Sequence, residues 1–140
     1  MINYFSKNDF ILKNKLKRKK WLKETIENEA FRLGDINYIF CSDEQLLDIN
    51  IQYLNHDYYT DIITFDYKEN HIISGDIFIS TDRVKENAII NNEEFDDELN
   101  RVLVHGILHI IGYKDKMDED IKLMREKENI YINLFKNNSN

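Results

Sequence analysis

The chain has 140 residues, 42 % hydrophobic and 12 % aromatic, which is enough apolar material for one ordinary core and excludes a disordered polymer. No apolar run approaches the roughly 20 residues of a membrane-spanning helix. Cys41 is the only cysteine, which excludes an internal disulfide and a thiolate-rich zinc site. The N-terminus carries neither a long apolar segment nor a small-residue cleavage site, so a cytoplasmic protein is expected. A net charge of −7 speaks against nucleic acid as a partner, but the charge is unevenly spread. Lys13, Lys15, Lys17, Arg18, Lys19, Lys20 and Lys23 follow one another with no acidic residue between them. Such a run can attract phosphate on an otherwise acidic protein. Charge alone favours the plainer reading, a solvated helix start.

With no proline, four glycines and no repeat, the sequence shows no linker, and a single domain over 1–140 is expected, its Asn-rich end at 137–140 frayed. Residues 2–5 read as a short strand. Leu22, Ile26, Ala30 and Leu33 recur at helical spacing from about Arg18 to Leu33, with Gly34 as the closing cap. Ile36, Tyr38 and Phe40 alternate as a strand ending at Ser42. Ser42 and Gln45 form a capping box for a helix through about Tyr53. Two β-rich runs follow, Asp61–Tyr67 and Ile72–Ser80, able to pair as a hairpin or lie side by side. Thr81 or Asp82 is expected to cap a short helix to about Ile90. Asp96 or Asp97 caps the next, to about Ile111, with Gly112 past its end. A last helix from about Met117 to Phe135 places Met117, Ile121, Met124, Tyr131 and Phe135 on one stripe. The fold class is α+β, a small mixed sheet of about four strands covered by about five helices.

The sharpest chemical signal is VHGILHIIGYKDK, residues 104–116. His105 and His109, four apart on a helix, leave the same face at a spacing that suits two imidazoles on one zinc ion. Gly112 lets the chain turn back, and Asp115 can then supply a third ligand. Two histidines and a carboxylate leave one zinc position for substrate or water, as catalysis requires. The competing reading is a pair of half-buried core histidines, weakened by the glycine turn and the well-placed carboxylate. For Asp115 itself, the competing reading is a charge near a helix N-terminus.

The run His105-Gly106-Ile107-Leu108-His109-Ile110-Ile111-Gly112-Tyr113 resembles the signature of the YbeY family of rRNA-maturation metallo-endoribonucleases. Ser42-Asp43, Thr60-Asp61-Ile62-Ile63-Thr64-Phe65 and Gly75-Asp76-Ile77-Phe78-Ile79-Ser80 are similar to further family motifs, in the same order, and the likeness spans about residues 36 to 124. The resemblance implies a zinc-dependent, single-strand-specific endoribonuclease acting in 16S rRNA 3′-end maturation and ribosome quality control, with RNA and the small ribosomal subunit as partners. Three positions depart from the pattern. Asp115 replaces the usual histidine ligand, Lys114 replaces the usual aspartate, and Leu54 stands where the family commonly has an arginine. Arg101, one turn before His105, is a candidate catalytic substitute, or else a surface partner of Asp97 or Glu98.

Gly106 occupies the place where zinc peptidases carry the glutamate that activates water, so peptide hydrolysis is the weaker alternative. A ribosome-associated binding module with structural zinc and weak catalysis is the other, suggested by Leu54. Lys17, Arg18, Lys19 and Lys20 are the candidate RNA-backbone contacts. Trp21 could stack on a base, though a core position suits a helical tryptophan better.

Overall fold

A computed structural model describes residues 1–138. Its elements run β1 (Ile2–Ser6), α1 (Lys15–Asn28), β2 (Arg32–Cys41), α2 (Asp43–Leu54), β3 (Ile62–Asp66), β4 (Ile72–Ser80), α3 (Thr81–Ile90), α4 (Phe95–Ile111) and α5 (Asp118–Asn137). The strands form one mixed sheet in the order β1-β2-β4-β3. β1 and β4 flank β2 in parallel, and β3, the first strand of a hairpin with β4, lies antiparallel to it at the sheet edge. The α+β expectation, with four strands and five helices, is met.

Period-2 alternation gives the sheet two faces. Ile73, Ile77 and Ile79 of β4, with Ile36, Tyr38 and Phe40 of β2, enter the main core. Phe78 turns the other way, onto a smaller cluster of Cys41, Leu46, Ile49 and Ile63 beneath α2. α4 is the central helix. It buries Leu99, Val102, Leu103, Val104, Ile107, Leu108, Ile110 and Ile111, against the sheet and the neighbouring helices. Burying apolar positions on so many sides is what its near-continuous hydrophobic run requires. Tyr38, fully buried, donates its hydroxyl to the Leu103 carbonyl at 2.6 Å and ties α4 to the sheet.

The capping box at Ser42 and Gln45 forms as expected, each side chain bonding the other's backbone N–H. Other boundaries differ. α1 stops at Asn28, Ala30 adopts a left-handed φ of 65°, and Leu33 and Gly34 belong to β2. Gly34 therefore ends no helix. It lies at the register shift between Leu33 and Ile36, where a Cβ would overlap the Ser74 side chain. Ser80, rather than Thr81 or Asp82, caps α3 through the Arg83 N–H. Glu94 precedes α4, and Asp96 and Asp97 lie in its first turn. On α5, Met117 and Ile121 are exposed, and the buried stripe is Met124, Glu128, Tyr131 and Ile132. Asn137 is helical rather than frayed, and residues 139 and 140 lie outside the described residues.

Candidate metal centre and its cleft

α4 carries both histidines on its one open side, with ring centroids 4.6 Å apart. The helix ends at Gly112, whose φ of 132° is a conformation that side chains rarely adopt. The N–H groups of Gly112 and Tyr113 close back on the Leu108 carbonyl. That turn returns Asp115 to the helix, placing its Oδ2 3.1 Å from His109 Nε2 and 3.4 Å from His105 Nε2. One ligand atom from each residue lies within 4.8 Å of the others, a grouping able to hold a metal ion. Among the described residues it is the one cluster of this kind. Two imidazole nitrogens and a carboxylate oxygen form a donor set that fits zinc.

Glu128 of α5 was not legible as a site residue. It is buried, and its Oε2 lies 2.7 Å from His105 Nδ1 while its Oε1 accepts from Arg101 at 3.0 Å. Burial pushes the Glu128 carboxyl up, but the hydrogen bonds from His105 and Arg101 and the nearby charge of Arg125 outweigh it, and the net direction is down. An ionised carboxylate can only accept, so Nδ1 of His105 donates to Glu128, and Nε2 is the ring atom left facing Asp115 and available to a metal ion. Burial depresses the His105 imidazole, but the Glu128 hydrogen bond and charge, with the charges of Asp115 and Asp61, together raise it. The available signal was a glutamate placed between Met124 and Tyr131 on an otherwise apolar stripe.

Arg101 pairs with Glu128 rather than with Asp97 or Glu98. Its side chain is 15 % exposed and its Nε is buried without a partner. This guanidinium is thus held behind His105 instead of projecting free.

The histidines and Asp115 open onto a cleft of about 620 Å³, bordered also by Leu54, Asp61 and Thr60. Burial pushes the Asp61 carboxyl above the usual carboxylate range, partly countered by the nearby His105. Gly106 faces the sheet. A Cβ there would meet Ile77 at 3.0 Å and Ile62 at 3.1 Å.

The basic run does not line this cleft, whose single lysine is Lys116. Arg18 is buried: its Nε donates to Asn100 Oδ1 at 2.9 Å and its NH1 to the Lys13 carbonyl at 2.5 Å. That geometry withdraws Arg18 from contact with a substrate. Lys17 lies 4.2 Å from the Phe135 ring centroid and shares a shallow hollow with Lys20. Lys19 sits 6.0 Å from the Tyr4 ring. Trp21 is a core residue, its Nε1 donating to the Tyr131 carbonyl at 2.6 Å.

A family model described as Endoribonuclease YbeY matches residues 4–136. A protein of Christiangramia forsetii named Endoribonuclease YbeY is 53 % identical over 96 % of this chain and 94 % of its own. One of the same name from Flavobacterium johnsoniae is 53 % identical over 96 % and 97 %. A solution structure of a Thermotoga maritima protein superposes with a TM-score of 0.69 at 30 % identity, covering 96 % of this chain and 89 % of that one.

Proposed function

Because the chain belongs to the YbeY family of endoribonucleases, we propose that it cuts single-stranded RNA with one zinc ion held by His105, His109 and Asp115. The observation that carries the zinc assignment is the convergence of Asp115 Oδ2 on both Nε2 atoms, with His105 Nδ1 already engaged by Glu128. When bound, zinc supplies Lewis-acid polarisation of a phosphoryl oxygen. The residues of the chain do the rest. Glu128 fixes the ring of His105, His105 and Arg101 together favour the charged form of Glu128, and Asp61 brings a carboxyl of raised proton affinity to the cleft wall. The physiological substrate in this reading is the 3′ end of 16S rRNA, with a role in ribosome quality control in the cytoplasm.

A peptidase reading loses its support at Gly106, which carries no carboxylate and packs against Ile77 and Ile62 rather than toward the cleft. The deciding experiment incubates purified protein with a single-stranded RNA, with and without chelator, and then restores zinc. Cleavage abolished by chelation and recovered with zinc is expected. Cleavage indifferent to chelator overturns the zinc assignment.

A further inference from the structure

The cleft presents a charge problem to an RNA substrate. Its lining includes Asp61, Asp66 and Asp115 against one lysine, Lys116, with Leu54 adding an apolar patch. Apart from the proposed metal ion, a polyanion gains little from such walls, so contacts other than phosphate pairing add most to the hold on a strand here. The segment between α2 and β3 offers that alternative. His56 and Tyr58 both line the cleft, and their rings stack with centroids 5.2 Å apart and planes within 20°. The Tyr58 hydroxyl meets His56 Nδ1 at 3.0 Å, which locks the two rings together. Tyr58 is nonetheless 55 % exposed, so part of its ring is open to a ligand in the cleft.

The pair is mounted on a pinned backbone. Asn55 leaves α2 at a left-handed φ of 55°, and the His56 N–H returns to the Asn50 carbonyl at 3.1 Å. Asn50 is itself buried, and its side-chain amide donates to the Tyr58 carbonyl at 2.9 Å. One buried asparagine thus ties down both ring-bearing residues.

We infer that His56 and Tyr58 form a nucleobase-stacking subsite, which grips the RNA by its bases beside the metal centre. A base is uncharged and every base has a π-face, so stacking is indifferent to the carboxylates that repel the backbone. Bases within a duplex have both faces covered, so the subsite also selects unpaired strands. This inference rests on the RNA-cleaving reading above.

The test measures binding of a short oligoadenylate and of an abasic ribose-phosphate oligomer of equal charge, using the zinc-loaded protein. Wild type is expected to prefer the oligoadenylate by about tenfold or more. Tyr58→Ala should erase most of that preference, and Tyr58→Phe, which keeps the ring, should retain it. Both variants sit on an exposed segment, and unchanged thermal unfolding establishes that the fold is intact. If wild type prefers the oligoadenylate and Tyr58→Ala keeps the full preference, the subsite is overturned while the RNA reading stands. If wild type binds both oligomers equally, base stacking is overturned. If it neither binds nor cuts RNA, the underlying reading falls and the subsite with it.

Discussion

Glu128 holds His105 from behind: the two side chains meet at 2.7 Å although 23 residues separate them in the chain. Outer carboxylates of this kind fix the orientation and tautomer of a metal-binding histidine, and losing them typically costs about 10- to 100-fold in metal affinity. Glu128→Ala is expected to lose affinity in that range in a competition titration against a zinc chelator. Glu128→Gln keeps an acceptor and should lose less. Equal zinc affinity in wild type and Glu128→Ala would show that the contact does not act on the metal site.

Metal content tests the ligands themselves. Purified protein should hold close to one zinc per chain, and His105→Ala or His109→Ala should remove most of it, since each takes away one of three ligand groups. Both side chains are partly exposed on α4, so circular dichroism should report an intact fold. Unchanged zinc occupancy in both variants would mean that zinc sits elsewhere.

Asp115 would give the proposed zinc site an oxygen ligand, where a third histidine would give nitrogen. Hard oxygen donors tolerate manganese better than an all-imidazole set does. Asp115→His should therefore widen the ratio of zinc to manganese affinity, and Asp115→Ala should weaken zinc binding by about tenfold or more. Identical metal preference in wild type and Asp115→His would indicate that this carboxylate is not a ligand.

The basic segment separates into two roles. Arg18 is structural, and Arg18→Ala leaves Asn100 and the Lys13 carbonyl without their partner, a loss of about 1–3 kcal/mol in urea unfolding. Reversing Lys17, Lys19 and Lys20 to glutamate should spare stability and flatten the salt dependence of binding to an RNA long enough to leave the cleft. An unaltered slope would return these lysines to ordinary solvated surface.

Acid sensitivity follows from Asp43, which accepts from Arg83 and from the Ser80 hydroxyl at 2.7 Å each. Burial pushes its carboxyl up, but these hydrogen bonds and the Arg83 charge hold it below the usual range. A carboxyl depressed by folding stabilises the native state above its ordinary pKa and loses that contribution as pH falls through the folded value. Asp43→Asn should cost about 1–2 kcal/mol at neutral pH, and the gap to wild type should narrow progressively as pH falls below the ordinary carboxylate range. A gap that persists at the acid end would rule out charge as its origin.

Local signals served the sequence reading well, and long-range charge did not. Ser42 and Gln45 announce a capping box because both partners lie within one turn. The histidines, Gly112 and Asp115 fall within eleven residues, so their meeting could be read from one segment. Gly34 was misleading: a glycine after helically spaced apolar residues looks like a cap, whereas here it admits close approach of β2 to β4. Glu128 and Arg18 are buried by partners 23 and 82 residues away, and nothing in their neighbouring sequence declares those partners. The stripe on α5 failed for the same reason, since its central member is a charged residue facing inward.

Gly106 bears on how freely this helix could change its chemistry. Zinc peptidases place a glutamate between such histidines, and a one-residue exchange looks like a short evolutionary step. Here the Cα of residue 106 points into Ile77 and Ile62, where even a methyl group makes contacts of 3.0–3.1 Å. The isoleucines would have to give by a few tenths of an ångström, and the rest of a glutamate would carry its carboxylate toward their apolar side chains. The tight seating of the helix that aims the two histidines thus also narrows the shortest mutational path to a different hydrolase. Smaller residues at positions 62 and 77 would ease that path.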